Sequence, residues 1–277
     1  MKIQLKDIVS KSILTPAKGA IDDFTHSLNP YVGCVFGCKY CYVRQLPVSL
    51  FREQEWGTWI DIKGNAAELL KKDMLKAKRK GPVMIFMSSS TDPYQPIEVK
   101  TKLTRSLLEV MLEAQPDFIH VQTRSPLVKR DIDLFKKFGD KIRISMTIET
   151  DKEEVRKAFS PTAPPIPARI AALKEITDAG IMTQATIAPL LPCSRDFPQK
   201  LKHIAKRVTI DDFWMGDGSG GKRTDKLGVY KIYEQMGLEK WYNPSAYKVV
   251  LKMLQEELQN SEVELMISKK GFSPNGN

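Results

Sequence analysis

Cysteine and histidine, two residues that bind metals, are scarce in this chain: its 277 residues include four cysteines and three histidines. Long apolar segments are absent. No stretch approaches the ~20 consecutive apolar residues that a membrane span requires. The first residues, MKIQLKDIVSKSIL, are amphipathic and lack the apolar core and cleavage site of a secretory signal. We therefore expect a soluble protein without membrane contact, in a reducing, cytoplasmic compartment.

The scarce cysteines are concentrated in one place. Cys34, Cys38 and Cys41 have the spacing C-x3-C-x2-C, whereas Cys193 is distant and no histidine closely follows the loop. Thiolates select zinc, copper(I) or iron–sulfur clusters, and a closed structural zinc site would have a fourth ligand. The simplest interpretation is a [4Fe-4S] cluster with one iron left open. A three-cysteine zinc knuckle or a redox loop is the alternative.

The charge balance is strongly basic. Lysine and arginine number 43 against 33 aspartates and glutamates, which gives a net charge of +10 and a pI near 9.3. Such a balance favours an anionic partner, and DNA or RNA is the candidate. The alternative is that each basic run is a solvated helix face.

Short apolar runs alternate with amphipathic segments, which predicts βα units and a parallel sheet. Six or seven repeats are too few for a closed eight-stranded barrel. The predicted fold is therefore α/β, an open, partial (βα)6-type TIM barrel. Residues 1–22 are expected to form an N-terminal cap, and residues 23–277 the core with a C-terminal helix and strand. The predicted strands are 24–31, 82–87, 117–122, 141–148, 181–190, 208–215 and 263–267; the predicted helices are 66–80, 101–114, 125–138, 151–159, 168–179, 197–206 and 243–258.

Two segments are expected to lack regular structure. Residues 42–63 are aromatic and irregular, and the prolines of residues 160–167 exclude helix and central strand. The cysteine loop follows the first predicted strand, and polar residues such as Arg124 and Glu149 follow later ones. Because active sites of such folds lie at the carboxyl ends of the strands, one face is expected to collect them.

The spacing C-x3-C-x-aromatic-C, with Tyr40 as the aromatic residue, resembles the hallmark of the radical S-adenosylmethionine (SAM) superfamily. The chain is similar to its spore photoproduct lyase-like branch, often labelled DNA repair photolyases. Further similarities are S-T-D-P-Y-Q-P at 90–96, T-R at 123–124, F-S-P at 159–161 and I-A-P at 187–189. The resemblance implies a [4Fe-4S] cluster, SAM and a reducing donor like flavodoxin or ferredoxin. One electron would cleave SAM to methionine and a 5′-deoxyadenosyl radical.

The resemblance also implies SAM contacts at the strand ends. Thr91 and Asp92 would lie near the methionine end of SAM, and Arg124 would pair with its carboxylate. For Thr91 and Asp92 the alternative is an ordinary turn, and for Arg124 a surface cation at a helix start.

Further contacts concern the nucleoside. Ser145 would bond the ribose, Ala188 would contact the adenosine, and Tyr40 would offer its backbone to the adenine. Ser145 could equally be a satisfied core hydroxyl. Glu149 is a candidate for binding a ribose hydroxyl or for acid/base catalysis, with a helix-cap role as the alternative. Cys193 is a candidate catalytic thiol, against a buried structural cysteine.

One departure from the family pattern concerns the substrate. Spore photoproduct lyase uses a cysteine just before its S-D element, where this chain has Ser89, which argues against thymine-lesion repair. RNA or protein modification is a rival within the enzyme hypothesis, and a non-catalytic nucleic-acid-binding metal module is a rival outside it. The run Gly216 to Lys222 contains G-x4-G-K, but Arg223 replaces the Ser or Thr of a P-loop and no good helix is expected next. We interpret it as a mobile basic loop at the rim.

Overall fold

A computed structural model describes residues 3–274, which form two β-sheets and a set of outer helices. No helix in this described part is long and apolar enough to cross a membrane. The strands are β1 Gln4–Ile8, β2 Leu14–Pro16, β3 His26–Leu28, β4 Tyr31–Val32, β5 Trp59–Lys63, β6 Met84–Met87, β7 Phe118–Thr123, β8 Ile142–Thr147, β9 Met182–Ile187, β10 Arg207–Ile210 and β11 Glu264–Ile267. The α-helices are α1 Pro47–Leu50, α2 Ala66–Lys78, α3 Glu98–Thr101, α4 Leu103–Ala114, α5 Ile132–Phe138, α6 Glu153–Phe159, α7 Ile166–Asp178, α8 Phe197–Lys202, α9 Phe213–Gly216, α10 Lys222–Lys226, α11 Tyr230–Gln235, α12 Ala246–Leu258 and α13 Lys269–Phe272.

The large sheet has the order β11-β10-β9-β8-β7-β6-β3-β2. Its strands from β3 to β11 are mutually parallel, and only β2 pairs antiparallel, with β3. Helices connect successive parallel strands, as the alternating sequence pattern predicts. The sheet has two free edges, β2 and β11, so the prediction of an open, partial barrel is confirmed.

In strands such as β8, apolar and polar side chains alternate, although both faces of the large sheet are buried. In β8, Ile144 and Met146 belong to the apolar core that includes Leu107 of α4 and Leu173 of α7. The intervening polar residues face the other side, where the Ser145 hydroxyl bonds to a threonine of β9. Burying an aliphatic side chain of this size stabilises the fold by roughly 1.5–3 kcal/mol. The interior of the open barrel is therefore polar, whereas its outer face is apolar.

The smaller sheet has the order β1-β5-β4 and contradicts two local predictions. The strand predicted for 24–31 is two strands, because Pro30 has no N–H with which to continue β3; the chain then enters the small sheet as β4. The segment 42–63, predicted to be irregular, contains α1 and β5. The predicted cap contributes β1 and β2, which pair with β5 and β3; its separation from the core remains a prediction.

One strand end and two helices also differ from the prediction. The strand predicted for 208–215 ends at Ile210, because the Asp212 carboxylate caps α9 by accepting from the Trp214 and Met215 amides. Helix α7 begins two residues early and includes Pro167 in its first turn, where a missing N–H costs nothing. The helix predicted for 101–114 begins with α3 and is interrupted at Lys102, which has a φ of 48°.

The segment after β11 turns back into the interior of the open barrel. The Ser268 amide donates to the Ile210 carbonyl, and the Ser273 carbonyl accepts from Arg143, which lies near the start of β8. Lys269 pairs with Asp22 at 2.5 Å, which links this segment to the beginning of the chain. The segment therefore runs along β10 from its carboxyl end to its amino end.

Candidate functional site

The cysteine loop begins where β4 ends. Cys34 and Cys38 are buried, Cys41 is half-buried, and none of the three forms a disulfide with a described residue. They pack in an apolar cluster that includes Phe36 and Trp59. This packing shields a centre bound by the loop from water.

Glycine is required at two points of this loop. Gly33 has a φ of +84°, and a Cβ there would lie 2.6 Å from Trp59. Gly37 has a φ of +52°, and a Cβ there would lie 3.3 Å from the Cα of Gly57. Both positions combine a left-handed backbone with a close neighbour, so the loop closes tightly only with glycine.

Other parts of the chain hold the loop in place. The Gln95 amide bonds to Gly33 and Val35, on either side of the first cysteine. The Thr162 hydroxyl donates to the Phe36 carbonyl at 2.7 Å. The loop is thus fixed to the segment after β6 and to the segment between α6 and α7.

Glu149 follows β8, is 1% exposed, and joins three other side chains. Its Oε1 accepts from the Tyr40 hydroxyl at 2.5 Å and lies 3.4 Å from Arg124 Nε. Its Oε2 accepts from Arg169 Nη1 at 2.6 Å. Tyr40, Arg124 and Glu149, which the sequence places far apart, therefore meet directly beside the cysteine loop.

The charge of Glu149 follows from these partners. Burial by itself would raise its pKa, but the charges of Arg169 and Arg124 and the hydrogen bond from Tyr40 outweigh burial and lower the pKa. The carboxylate is therefore ionised at neutral pH and already hydrogen-bonded. Its predicted acid/base role stays a prediction, and the geometry shows a carboxylate that orients Tyr40 and two arginines.

Asp92, which the sequence analysis grouped with Thr91, lies at the same carboxyl edge of the large sheet. Its Oδ1 accepts from the Thr123 hydroxyl at 2.7 Å and the Tyr94 amide at 2.9 Å, and its Oδ2 accepts from the Arg124 amide at 2.8 Å. Thr91 and Asp92 are thus held next to Arg124. The carboxylate of Asp92 is used for this internal connection.

Several buried polar atoms at these strand ends have no hydrogen-bond partner within residues 3–274. They include Thr91 Oγ1, Arg124 Nε and Ser88 Oγ. Buried polar groups in native proteins are nearly always paired. Because these atoms lie beside the cysteine loop, a polar ligand bound there would supply their missing hydrogen bonds.

Three further predicted residues lie apart from the Glu149 group. The Ser145 hydroxyl bonds to Thr186 at 2.6 Å inside the sheet, as a core hydroxyl would. Ala188 is half-buried directly after β9. Cys193 packs in the main apolar core rather than with the loop cysteines, and burial raises the pKa of its thiol to about 12. Their proposed roles are predictions that this placement leaves open.

The G-x4-G-K segment has an internal anion in place of a phosphate. The Asp217 carboxylate accepts from the amides of Ser219, Gly221, Arg223 and Thr224 at 2.7–3.2 Å. Contrary to the sequence prediction, a helix does follow at once, because α10 begins at Lys222. The amides that a P-loop offers to phosphate are occupied here, which agrees with the rejection of a P-loop.

Residues 28–192, more than half of the chain, match the radical SAM superfamily and include every residue of the cysteine loop and the Glu149 group. The chain belongs to the radical SAM superfamily. Radical SAM proteins use a [4Fe-4S] cluster and SAM, so both predicted cofactors are confirmed at the level of the family.

Relatives extend the similarity across most of the chain. An uncharacterized protein of Methanocaldococcus jannaschii is 36% identical over 191 residues, 69% of this chain and 69% of that protein. An uncharacterized protein of Acidianus two-tailed virus is 28% identical over 257 residues, 87% of this chain and 78% of that protein. The solved structure of spore photoproduct lyase complexed with dinucleoside spore photoproduct has a TM-score of 0.66 at 15% identity and covers 95% of this chain and 81% of that one. The predicted resemblance to this branch therefore holds for the fold.

The residues present fit a radical SAM cluster. Burial raises the pKa of the Cys34 thiol, and it raises that of Cys41 to about 12, so their thiolate forms need a compensating cation such as iron. Within the described residues no three Cys, His, Asp or Glu side chains gather as they would around one metal ion. In a [4Fe-4S] cluster each thiolate binds a different iron.

The sequence motifs include two further residues of this site to which the sequence analysis gave no role. Arg169 lies in α7, is fully buried and pairs with Glu149. Gln95 holds the cysteine loop. The available signal for both was their place in the motif segments, since Gln95 lies in S-T-D-P-Y-Q-P and Arg169 follows the F-S-P element.

Proposed function

We propose that this chain cleaves SAM reductively and uses the resulting 5′-deoxyadenosyl radical on a substrate that is a nucleic acid. When bound, the reduced cluster supplies one electron that breaks a carbon–sulfur bond of SAM, giving methionine and a radical that removes a hydrogen atom from the substrate. The observation that carries the proposal is the meeting of the three-cysteine loop with unpaired polar atoms of Thr91 and Arg124. The electron would come from a flavodoxin- or ferredoxin-like donor, and the free thiols suit a reducing cytoplasm.

The chain's own residues would hold SAM and shield it. Arg124 would pair with its carboxylate, because the guanidinium makes only long contacts among the described residues: Nε is 3.4 Å from Glu149 Oε1 and Nη2 is 3.4 Å from the Tyr40 hydroxyl. Thr91 would bind near the methionine end, Ser145 and Ala188 near the nucleoside. The Tyr40 hydroxyl is engaged with Glu149, which leaves its backbone for the adenine. Glu149 would keep Arg124 charged and oriented.

The proposal of a nucleic-acid substrate has two supports. The net charge of +10 favours a polyanion, and the fold is that of a lyase that has been solved with a dinucleoside spore photoproduct. Ser89 argues against repair of that same lesion, because a serine hydroxyl is a poor hydrogen-atom donor. The Ser89 hydroxyl oxygen lies 3.4 Å from Asn29 Nδ2, at the carboxyl edge of the large sheet. RNA or protein modification is the rival for the substrate, and Cys193 remains a candidate thiol.

The test of SAM cleavage uses anaerobically reconstituted protein with dithionite and SAM. We expect 5′-deoxyadenosine by liquid chromatography, and we expect Cys38→Ala to abolish it because a cluster ligand is lost. Cys193→Ala is the matched control for iron content, which should stay at the wild-type value. An intact cluster that yields no product would contradict the enzyme and favour a non-catalytic nucleic-acid-binding iron–sulfur protein.

A second measurement addresses the substrate class. Affinities for DNA and RNA are measured between 50 and 200 mM salt, where each phosphate contact gives a log–log slope of about −0.9 for duplex DNA. A steep slope with one nucleic acid supports that substrate. A flat slope with both would contradict a nucleic-acid substrate and favour modification of a protein.

A further inference from the structure

Gln95 connects the segment after β6 to the peptide groups on both sides of Cys34. Its Nε2 donates to the Gly33 carbonyl at 3.1 Å, and its Oε1 accepts from the Val35 amide at 2.8 Å. The side chain is 0% exposed. A carboxamide carries a donor and an acceptor on two atoms of one planar group, so the Gln95 side chain satisfies both backbone groups at once.

The segment that carries Gln95 is itself firmly held. The Pro93 carbonyl accepts from the Thr104 hydroxyl at 2.5 Å, which ties the segment to α4. The backbone carbonyl of Gln95 accepts from the Glu98 amide at 2.8 Å. The amide therefore extends from a fixed base, so that it restrains the loop rather than following it.

The same segment carries the residues proposed for the methionine end of SAM. Asp92 is three residues before Gln95 and is bonded to the Arg124 amide at 2.8 Å. Between them, Tyr94 donates its amide to Asp92 at 2.9 Å. One short piece of chain thus determines both where Thr91 lies and where the backbone around Cys34 lies.

We propose that Gln95 is a positioning residue that fixes Cys34, and with it the cluster, relative to the Thr91–Asp92 segment. The inference rests on the proposed function, because it assigns those two places to the cluster and to SAM. Gln95 touches neither SAM nor the cluster in this assignment. It sets the distance and direction between them through the backbone of Gly33 and Val35.

The two hydrogen bonds from Gln95 to Gly33 and Val35 form a clamp on the loop. The test compares a variant that removes this clamp with a variant that removes a neighbouring hydrogen bond. Gln95→Met keeps the length and burial of the side chain but loses both hydrogen bonds. Tyr94→Phe is the matched control, because it removes one buried hydrogen bond, to Asp131, from the same segment and leaves the clamp intact. Both proteins are reconstituted anaerobically after circular dichroism has verified folding.

Three quantities are measured: iron and sulfide per chain, the electron paramagnetic resonance spectrum of the dithionite-reduced cluster with and without SAM, and 5′-deoxyadenosine formation. Loss of an outer partner of a metal ligand typically costs about 10–100-fold in affinity or activity. We expect Gln95→Met to lose SAM cleavage by that factor and to show a weaker spectral change on adding SAM. Tyr94→Phe should match the wild type in all three.

A folded Gln95→Met protein with wild-type iron content and a wild-type spectral response to SAM would overturn the inference, and so would equal losses in Tyr94→Phe. If Gln95→Met does not fold, Gln95→Glu replaces it, since it keeps the acceptor for Val35 and loses only the donor to Gly33. Absence of 5′-deoxyadenosine from the wild type would reject the proposed function alone. The clamp would still be judged from iron content and from the spectrum of the reduced cluster.

Discussion

Glu149 shows how one buried carboxylate holds several side chains together at the edge of a site. It lies between Arg124 and Arg169, and the latter guanidinium is fully buried. A buried ion pair contributes little by itself, but removing one partner leaves an uncompensated charge. Glu149 therefore holds two arginines in place beside the cysteine loop, and its loss would leave both without this carboxylate partner.

Asp211, at the carboxyl end of β10, provides a prediction of pH dependence. Burial raises its pKa to about 7, and the nearby Asp212 carboxylate adds to the rise. Because the folded-state pKa lies above the unfolded one, the stabilising protonated form is complete below the unfolded pKa and is lost as pH rises through about 7. We expect wild-type stability to fall relative to Asp211→Asn between pH 4 and 7, by roughly 1.4 kcal/mol per pH unit at most.

The measurement is the midpoint of thermal unfolding of both proteins from pH 4 to 8, recorded anaerobically. Asn keeps the shape of the side chain but cannot ionise, so Asp211→Asn should have the higher midpoint at pH 8. Parallel midpoints over the whole range would show that Asp211 is ionised throughout and would contradict the prediction.

At the residue scale, the sequence predicted where the site residues lie better than it predicted which side chains they contact. It placed Thr91, Arg124 and Glu149 at the carboxyl ends of neighbouring strands, and the structure places them there. It did not predict that Glu149 would pair with Tyr40, since such pairing depends on the path of the loop. The Ser145 hydroxyl, on a strand that reads as apolar, could not be assigned because both faces of the sheet are buried.

At the scale of elements, the small sheet determines how the cysteine loop starts. Strand β5 pairs with β4 and places Trp59 against Gly33. We expect Gly33→Ala to reduce the iron bound per chain, because a Cβ there would lie 2.6 Å from Trp59 and φ is +84°. Gly64→Ala is the matched control, since no heavy atom lies within 4 Å of its Cβ.

The readout is iron and sulfide content after anaerobic reconstitution, together with the thermal midpoint. Iron content in Gly33→Ala that equals that of Gly64→Ala would mean that the loop tolerates a displaced tryptophan. A fall in iron with an unchanged midpoint would locate the damage in the loop rather than in the sheet.

The elements themselves were predictable where their pattern is local. The helices 66–80 and 243–258 and the strands β6, β7, β8, β9 and β11 follow from apolar periodicity and were found within a few residues. Strand β5 was missed because its partner β1 lies more than 50 residues earlier, and no local pattern announces such pairing. Helix α9 was missed although Asp212 is a recognisable N-cap, since the apolar run after it favours a strand.

At the scale of the whole molecule, the segment after β11 fills the interior of the open barrel. Phe272 packs 6.2 Å from Phe86 and 6.3 Å from His120, measured between ring centroids. The Gly271 carbonyl accepts from Thr209 at 3.5 Å, so the backbones lie close together. Helix α13 thus occupies the part of the interior lined by Phe86, His120 and Thr209.

A substitution at Gly271 tests whether α13 is packed tightly in the interior of the open barrel. A Cβ at Gly271 would lie 2.1 Å from Thr209 Cγ2, so Gly271→Ala must displace α13 from the interior. We expect a loss of stability of about 1–3 kcal/mol, as is typical of overpacking, seen as a lower thermal midpoint, and faster proteolysis after β11. The cysteine loop should still bind iron, and Gly64→Ala again serves as the control. Unchanged midpoint and proteolysis would contradict a tightly packed segment.

The direction of this segment has a practical consequence. Its last described residues, Ser273 and Pro274, bond to Arg143 near the amino end of β8, whereas the cysteine loop lies at the carboxyl ends of the strands. Pro274 therefore lies at the opposite end of the strands from the cysteine loop. We expect protein immobilised on a resin or an electrode by that end of the strands to leave the cysteine loop open to SAM, to a soluble reductant and to long polymers.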